Sequence, residues 1–132
     1  MIGNERRLKL VSLSSAGSTF LVAAKSRKSL NDDMHLIAIS RLREAAAKFS
    51  DVSTQVEDWN EIVKTATWQN LTEVQQTYAF AEAVENFTVF NIKGNRYRLI
   101  VSINYPKQII YFKFFLTHAE YNKDNWKNDP YF

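Results

Sequence analysis

At 132 residues the chain has the length of one domain and can bury a sizeable core without disulfides or metal. It has no cysteine and two histidines, His35 and His118, which excludes thiolate catalysis, disulfide bridges, Cys-ligated zinc and any multi-histidine metal site. The net charge is +3 and the pI about 9.2, yet residues 34–132 hold eleven cations and eleven acids, so a nucleic-acid reading must rest on local charge.

Residues 1–33 carry the whole excess, with six cations and three acids. Arg6, Arg7 and Lys9 precede a moderately apolar stretch, Leu10 to Ala24, broken by Ser12, Ser14, Ser15, Gly17, Ser18 and Thr19. A signal peptide has this order of regions, but the apolar run is too interrupted for one. It is also too short and polar to span a membrane. We read 1–33 as an N-terminal extension, disordered or upstream of the natural start, and 34–132 as the domain.

Met34 to Ile39 reads as an edge or first strand, and Ser40 as the N-cap of a helix over Arg41 to Phe49. Leu42, Ala45, Ala46 and Phe49 fall on one helical face. Asp51 or Ser53 opens the next helix, where Val56, Trp59, Val63 and Ala66 repeat at helical spacing with Ile62 alongside. Glu57, Asp58, Glu61 and Lys64 take the opposite face, which is solvated or meets a basic partner. Trp59 is read as a core residue against the sheet. Trp68 sits in a loop, and Asn70 with Glu73 resembles a capping box. A short helix to about Tyr78 would bury Leu71, Val74 and Tyr78, and Ala79 to Asn86 then connects to the sheet.

From Phe87 onward, three runs of strand-type residues are separated by Lys93-Gly94-Asn95 and by Tyr105-Pro106-Lys107-Gln108. They predict an antiparallel meander with strands near 87–93, 96–104 and 108–116, and Gly94 can supply a positive φ at the first turn. Alternation puts Tyr97, Leu99, Val101 and Ile103 toward the helices, with Arg96, Arg98, Ile100 and Ser102 opposite. In the third strand it buries Ile110, Phe112, Phe114 and Leu116. Ile109, Tyr111, Lys113, Phe115 and Thr117 then share the open face. The fold class is α+β.

The charge pattern sharpens this. From Asn86 to His118 there are five cations, Lys93, Arg96, Arg98, Lys107 and Lys113, and no acid; from Glu44 to Glu85 there are eight acids against Lys48 and Lys64. An open sheet face that mixes cations and aromatics can hold phosphates and stack bases. It can equally be a sheet face with snorkelling cations. His118 follows the basic strand, close to Glu120 and Tyr121. The polar tail from Asn122, with Trp126, Pro130, Tyr131 and Phe132, is expected to pack loosely or fray.

Three segments carry a resemblance. Asn91-Ile92-Lys93-Gly94-Asn95-Arg96-Tyr97-Arg98-Leu99-Ile100, the Ile109-Ile110-Tyr111 strand and Thr117-His118-Ala119-Glu120-Tyr121 together resemble the HigB-type toxins of bacterial type II toxin–antitoxin systems. The resemblance covers about residues 34–121. It implies a RelE-like fold, a small antiparallel sheet with two or three helices packed on one face. It implies a cytoplasmic, metal-independent endoribonuclease that needs no cofactor, cuts mRNA, in many members on the ribosome, and inhibits translation. It further implies a cognate antitoxin with a helix-turn-helix domain, and no membrane. Lys93 stands where members often carry Gly, and Asn122 where Asp is common.

Metal-free RNA cleavage uses the 2′-OH as nucleophile, and needs a base, cations on the phosphate and an acid for the leaving oxygen. Under this resemblance Arg98 is the expected phosphate clamp, since a guanidinium can grip two oxygens. His118 is the expected proton-transfer group. Tyr121 and Glu120 are further candidates to transfer protons or orient His118. Lys93, Asn95, Arg96, Lys107 and Lys113 are the expected RNA contacts. The alternatives are a RelE-fold toxin acting on DNA gyrase by protein contact, and a non-catalytic RNA- or protein-binding module.

Overall fold

The computed structural model describes residues 34–132. The readings given above for 1–33 lie outside the described residues. Five strands, β1 (His35–Ile37), β2 (Glu82–Val84), β3 (Phe87–Ile92), β4 (Tyr97–Asn104) and β5 (Ile109–Thr117), form one sheet in the order β1-β5-β4-β3-β2. Helices α1 (Ile39–Ala46), α2 (Ser53–Thr65) and α3 (Leu71–Thr77) precede β2, and α4 (His118–Asn122) follows β5. A 3-10 turn at Asn125–Asn128 comes last. This is an α+β, RelE-like arrangement. The meander β3-β4-β5 is antiparallel, and β1 adds a parallel edge to β5.

Helices α1, α2 and α3 cover one face. Leu42, Val56, Trp59, Val63 and Val74 pack there against Phe90, Leu99, Val101 and Ile110. Trp59 is 1% exposed and meets Phe90 edge-on at 5.5 Å. The helix starts differ from expectation. Helix α1 begins at Ile39 with Ala38 at the N-cap, and α2 has Val52 there, neither with a side-chain cap. Ser40 lies inside α1. Asp51 does not cap because its carboxylate is drawn to the sheet, where Tyr97 donates to it. Helix α1 ends before Phe49, which still packs on Tyr97 with ring centroids 4.9 Å apart. Asn70 does cap α3, accepting from the Glu73 N–H; the Glu73 carboxylate accepts from Gln69 N–H, one residue before the cap.

Strand β2 was not expected. Glu and Ala are poor strand formers, and the Glu85-Asn86 turn lacks the glycine that usually marks a hairpin, although Glu85 takes φ +53°. Pairing with β3 overrides local preference.

The largest correction concerns the other sheet face. A bulge pairs Ile100 with Phe114 and Val101 with Phe112, leaving Lys113 without a partner. One extra residue reverses the alternation beyond it. Ile110 and Phe112 face the helices as expected, but so does Phe115, while Phe114 and Leu116 face away. That far face is not open. Phe87, Val89 and Ile100 are covered there by Trp126, with Tyr121 and Phe132 around it. Trp126 is 2% exposed, stacks over Phe87 at 6.5 Å, and its indole N–H donates to the Tyr121 carbonyl. The tail is therefore a second small core rather than a frayed end.

A Trp→Ala change in such a site removes about 3–5 kcal/mol. Trp126→Ala should thus lower the urea midpoint clearly, without changing the unfolding slope. A loss below about 1 kcal/mol would show that the tail is only loosely attached.

Candidate functional site

The β3–β4 turn and the β5–α4 junction meet at one end of the sheet. The turn needs left-handed backbone at two successive residues, Lys93 (φ +53°) and Gly94 (φ +65°). Gly94 adopts this freely. Lys93 does so against its Cβ, which is the physical reason a glycine suits the position. Its ammonium donates to the Asp51 carbonyl at 2.8 Å and lies 3.4 Å from the Asp51 carboxylate. The Tyr97 hydroxyl donates to the same carboxylate at 2.9 Å, and Arg96 approaches it at 3.5 Å.

Arg98 lies two residues on, facing the tail side, and is 8% exposed. Its Nη1 donates to the carbonyls of Asn95 and Tyr97, at 3.1 and 3.3 Å. Its Nη2 donates to Asn95 Oδ1 at 2.6 Å and to His118 Nδ1 at 3.0 Å. Every acceptor is neutral, and among the described residues no carboxylate pairs with it. A grip on two phosphate oxygens would require Arg98 to release some of these bonds. The Tyr121 ring lies beneath the guanidinium, 5.2 Å from Cζ to centroid.

The bond to His118 fixes a chemical state. Arginine has no acceptor, so Nδ1 must present its lone pair. The neutral ring then carries its proton on Nε2, which has no partner among the described residues. His118 is the first residue of α4, and its backbone N–H donates to the Arg96 carbonyl at 3.0 Å. Thr117 caps the helix: its hydroxyl accepts from Glu120 N–H, and the Glu120 carboxylate accepts from Thr117 N–H. Glu120 is thereby engaged in holding the helix start. Tyr121 stacks on Trp126 at 5.1 Å. Burial pushes its phenol up, with the Glu82 carboxylate adding to the effect, so it is protonated at neutral pH.

The structure thus brings Asn95, Arg98, His118 and Tyr121 together, with Lys93 and Arg96 on the adjoining turn. Lys107 lies in the β4–β5 turn at the far end of the sheet, on the order of 20 Å away along the strand. Lys113, at the bulge, sits between the Phe87 and Tyr131 rings and 3.8 Å from Asp129. Among the described residues, no group of three or more His, Asp or Glu side chains is placed to hold a metal ion. None of their helices is long and apolar enough to cross a membrane. Asp51 was missed as part of this region because it lies outside the acid-free stretch, 42 residues before Lys93.

The family model described as HigB_toxin, RelE-like toxic component of a toxin–antitoxin system, matches residues 52–124. The chain belongs to this family. The match spans more than half of the sequence and contains Asn95, Arg98, His118 and Tyr121; Asp51 lies one residue before it. No curated protein matches the sequence. As a HigB-type, RelE-like toxin, the chain is one half of a toxin–antitoxin pair, and membership implies an antitoxin partner.

The Asp51 contacts set an acid dependence. The Tyr97 hydrogen bond, and then Lys93, hold its carboxyl below the usual range. Its folded value lies below the unfolded one, about 3.9. The stabilisation is therefore complete above that value and is lost as pH falls through the folded value. Denaturant midpoints followed from neutral pH down to about pH 2 should fall more steeply below about pH 4 in the wild type than in Asp51→Asn. Parallel curves would show that the pairing adds nothing.

Proposed function

We propose that this toxin is a metal-independent endoribonuclease that cuts mRNA and so inhibits translation. One observation carries the reading: a buried arginine, held only by neutral acceptors, is joined to the Nδ1 of a half-buried histidine at 3.0 Å. A buried cation without a carboxylate favours an anion nearby. A phosphate oxygen is a stronger acceptor than the neutral groups that now hold Arg98.

When an RNA phosphate arrives, it takes over part of the Arg98 guanidinium. Nδ1 of His118 is then released, and the ring can exchange protons at both nitrogens. The 2′-oxygen attacks phosphorus while its proton passes to a base. The bond to the 5′-oxygen breaks, and that oxygen takes up a proton. The products are a 2′,3′-cyclic phosphate and a 5′-hydroxyl. His118 gives or takes one of these protons. Tyr121 holds its phenol proton at neutral pH and lies against the guanidinium, where it can donate to the phosphate. Arg98 spreads positive charge over the crowded phosphorus. Asn95 orients Arg98, and Lys93 and Arg96 attract the RNA backbone. Cleavage on the ribosome would supply mRNA already held extended. The antitoxin is expected to carry a helix-turn-helix domain.

Loss of a proton-transfer group typically slows a reaction about a hundred- to ten-thousand-fold. Inducible expression of the full chain should arrest growth and create new internal mRNA ends. His118→Ala and Arg98→Ala should remove both effects while the proteins stay soluble and folded. Folded variants that still cut would overturn the assignment of these residues. Arrest with intact transcripts would point instead to a target such as gyrase.

A further inference from the structure

On the helix side of the β3–β4 turn, three donors converge on one carboxylate. Tyr97 OH, Lys93 Nζ and Arg96 Nη1 lie 2.9, 3.4 and 3.5 Å from the Asp51 oxygens. The two ion pairs are longer than the 2.7–2.9 Å of a tight charge-assisted bond. They are also wet: the Arg96 side chain is 64% exposed, and those of Lys93 and Asp51 are each 32% exposed. Exposed pairs of this kind contribute little to stability. Lys93 nevertheless holds a left-handed backbone that a glycine would adopt more easily, so the turn places an ammonium here at some conformational expense. An oxyanion is what this set of donors fits. Only a carboxylate from another part of the chain now supplies it.

We infer that Lys93, Arg96 and Tyr97 form a second phosphate site, which the Asp51 carboxylate fills until an RNA phosphate displaces it. The inference rests on the ribonuclease reading. Arg96 leads into Arg98, with its guanidinium drawn to Asp51 on the helix side and that of Arg98 to Asn95 and His118 on the tail side. The phosphate held by Arg96 and Lys93 therefore belongs to the strand that passes over the turn to the bond cleaved beside His118. Asp51 acts as a brake: RNA must exchange places with an internal anion, which lowers affinity and discriminates against weakly held strands.

The test uses the full chain and a short single-stranded RNA, 2′-O-methylated throughout so that it cannot be cut. Binding is measured across a salt series for the wild type, Asp51→Asn and Asp51→Asn with Arg96→Gln. Asparagine keeps an acceptor for Tyr97 and removes the charge. Asp51→Asn should bind several-fold more tightly at a similar slope of log affinity against log salt, because the same phosphates are neutralised in both complexes. Adding Arg96→Gln should reverse that gain and flatten the slope by about 0.7 for the phosphate lost. An unchanged affinity in folded Asp51→Asn would overturn the second site and leave the cleavage site standing. No RNA binding by either protein at low salt would also overturn the second site, and the ribonuclease reading then stands or falls on the transcript ends. If Asp51→Asn does not fold, Arg96→Gln alone decides: it should weaken wild-type binding and flatten the slope, and no change would reject the site.

Discussion

A guanidinium buried without a carboxylate can be satisfied only by dipoles, and it must collect enough of them. Arg98 does this by taking two main-chain carbonyls, one amide oxygen and one imidazole nitrogen. Two of those acceptors belong to Asn95 in the turn, one to Tyr97 at the start of β4 and one to α4. The same side chain therefore fixes the turn that carries Lys93 and Arg96 and sets the angle of the His118 ring. The support extends outward. Tyr121 lies against the guanidinium, Trp126 stacks on Tyr121, and Phe87 of β3 lies under Trp126. The far-side core and the candidate site are thus one continuous stack, so loosening the tail would be felt at His118.

That second core exists because of a single unpaired residue. Without the bulge, Phe114 and Leu116 would face the helices and Phe115 the far side. With it, two large apolar side chains join Ile100 and Phe87 on a face that the helices do not reach. Such a face in water would be an aggregation liability. The short helix α4 and the aromatic tail cover it. The bulge also gives Lys113 its place between two rings, with Asp129 at hand, and so assigns that cation to holding the tail.

The features legible in the sequence were those written in local periodicity. The buried faces of α1 and α2, the three meander strands and the positive φ at Gly94 all follow from spacing and residue type. The association of Arg98 with His118 was legible only as a motif, because residues twenty apart say nothing of distance until the β4–β5 pairing is known. What stayed hidden depends on tertiary pairing. Glu82–Val84 becomes a strand because β3 is beside it. A bulge changes register without leaving a mark in composition. Trp126 in a polar tail looks exposed until the reversed face of β5 gives it something to cover.

The acid-free run from Asn86 to His118 shows how far charge patterning can be taken. It reads as a bare basic sheet, but folding supplies acids from outside the run. Asp129 reaches Lys113, and Asp51 serves both Lys93 and Arg96. Lys107 stays in water, where an unpaired cation costs almost nothing. Counting cations along a sequence therefore says little about which of them attract a ligand. Burial decides, because only there does an uncompensated charge carry a large desolvation penalty. Of the five cations Arg98 alone is buried among neutral acceptors, and it is bonded to His118, whose ring nitrogens can both accept and donate a proton. That pairing, rather than the bulk basicity of the sheet, is the physical argument for phosphate chemistry at this end of the molecule.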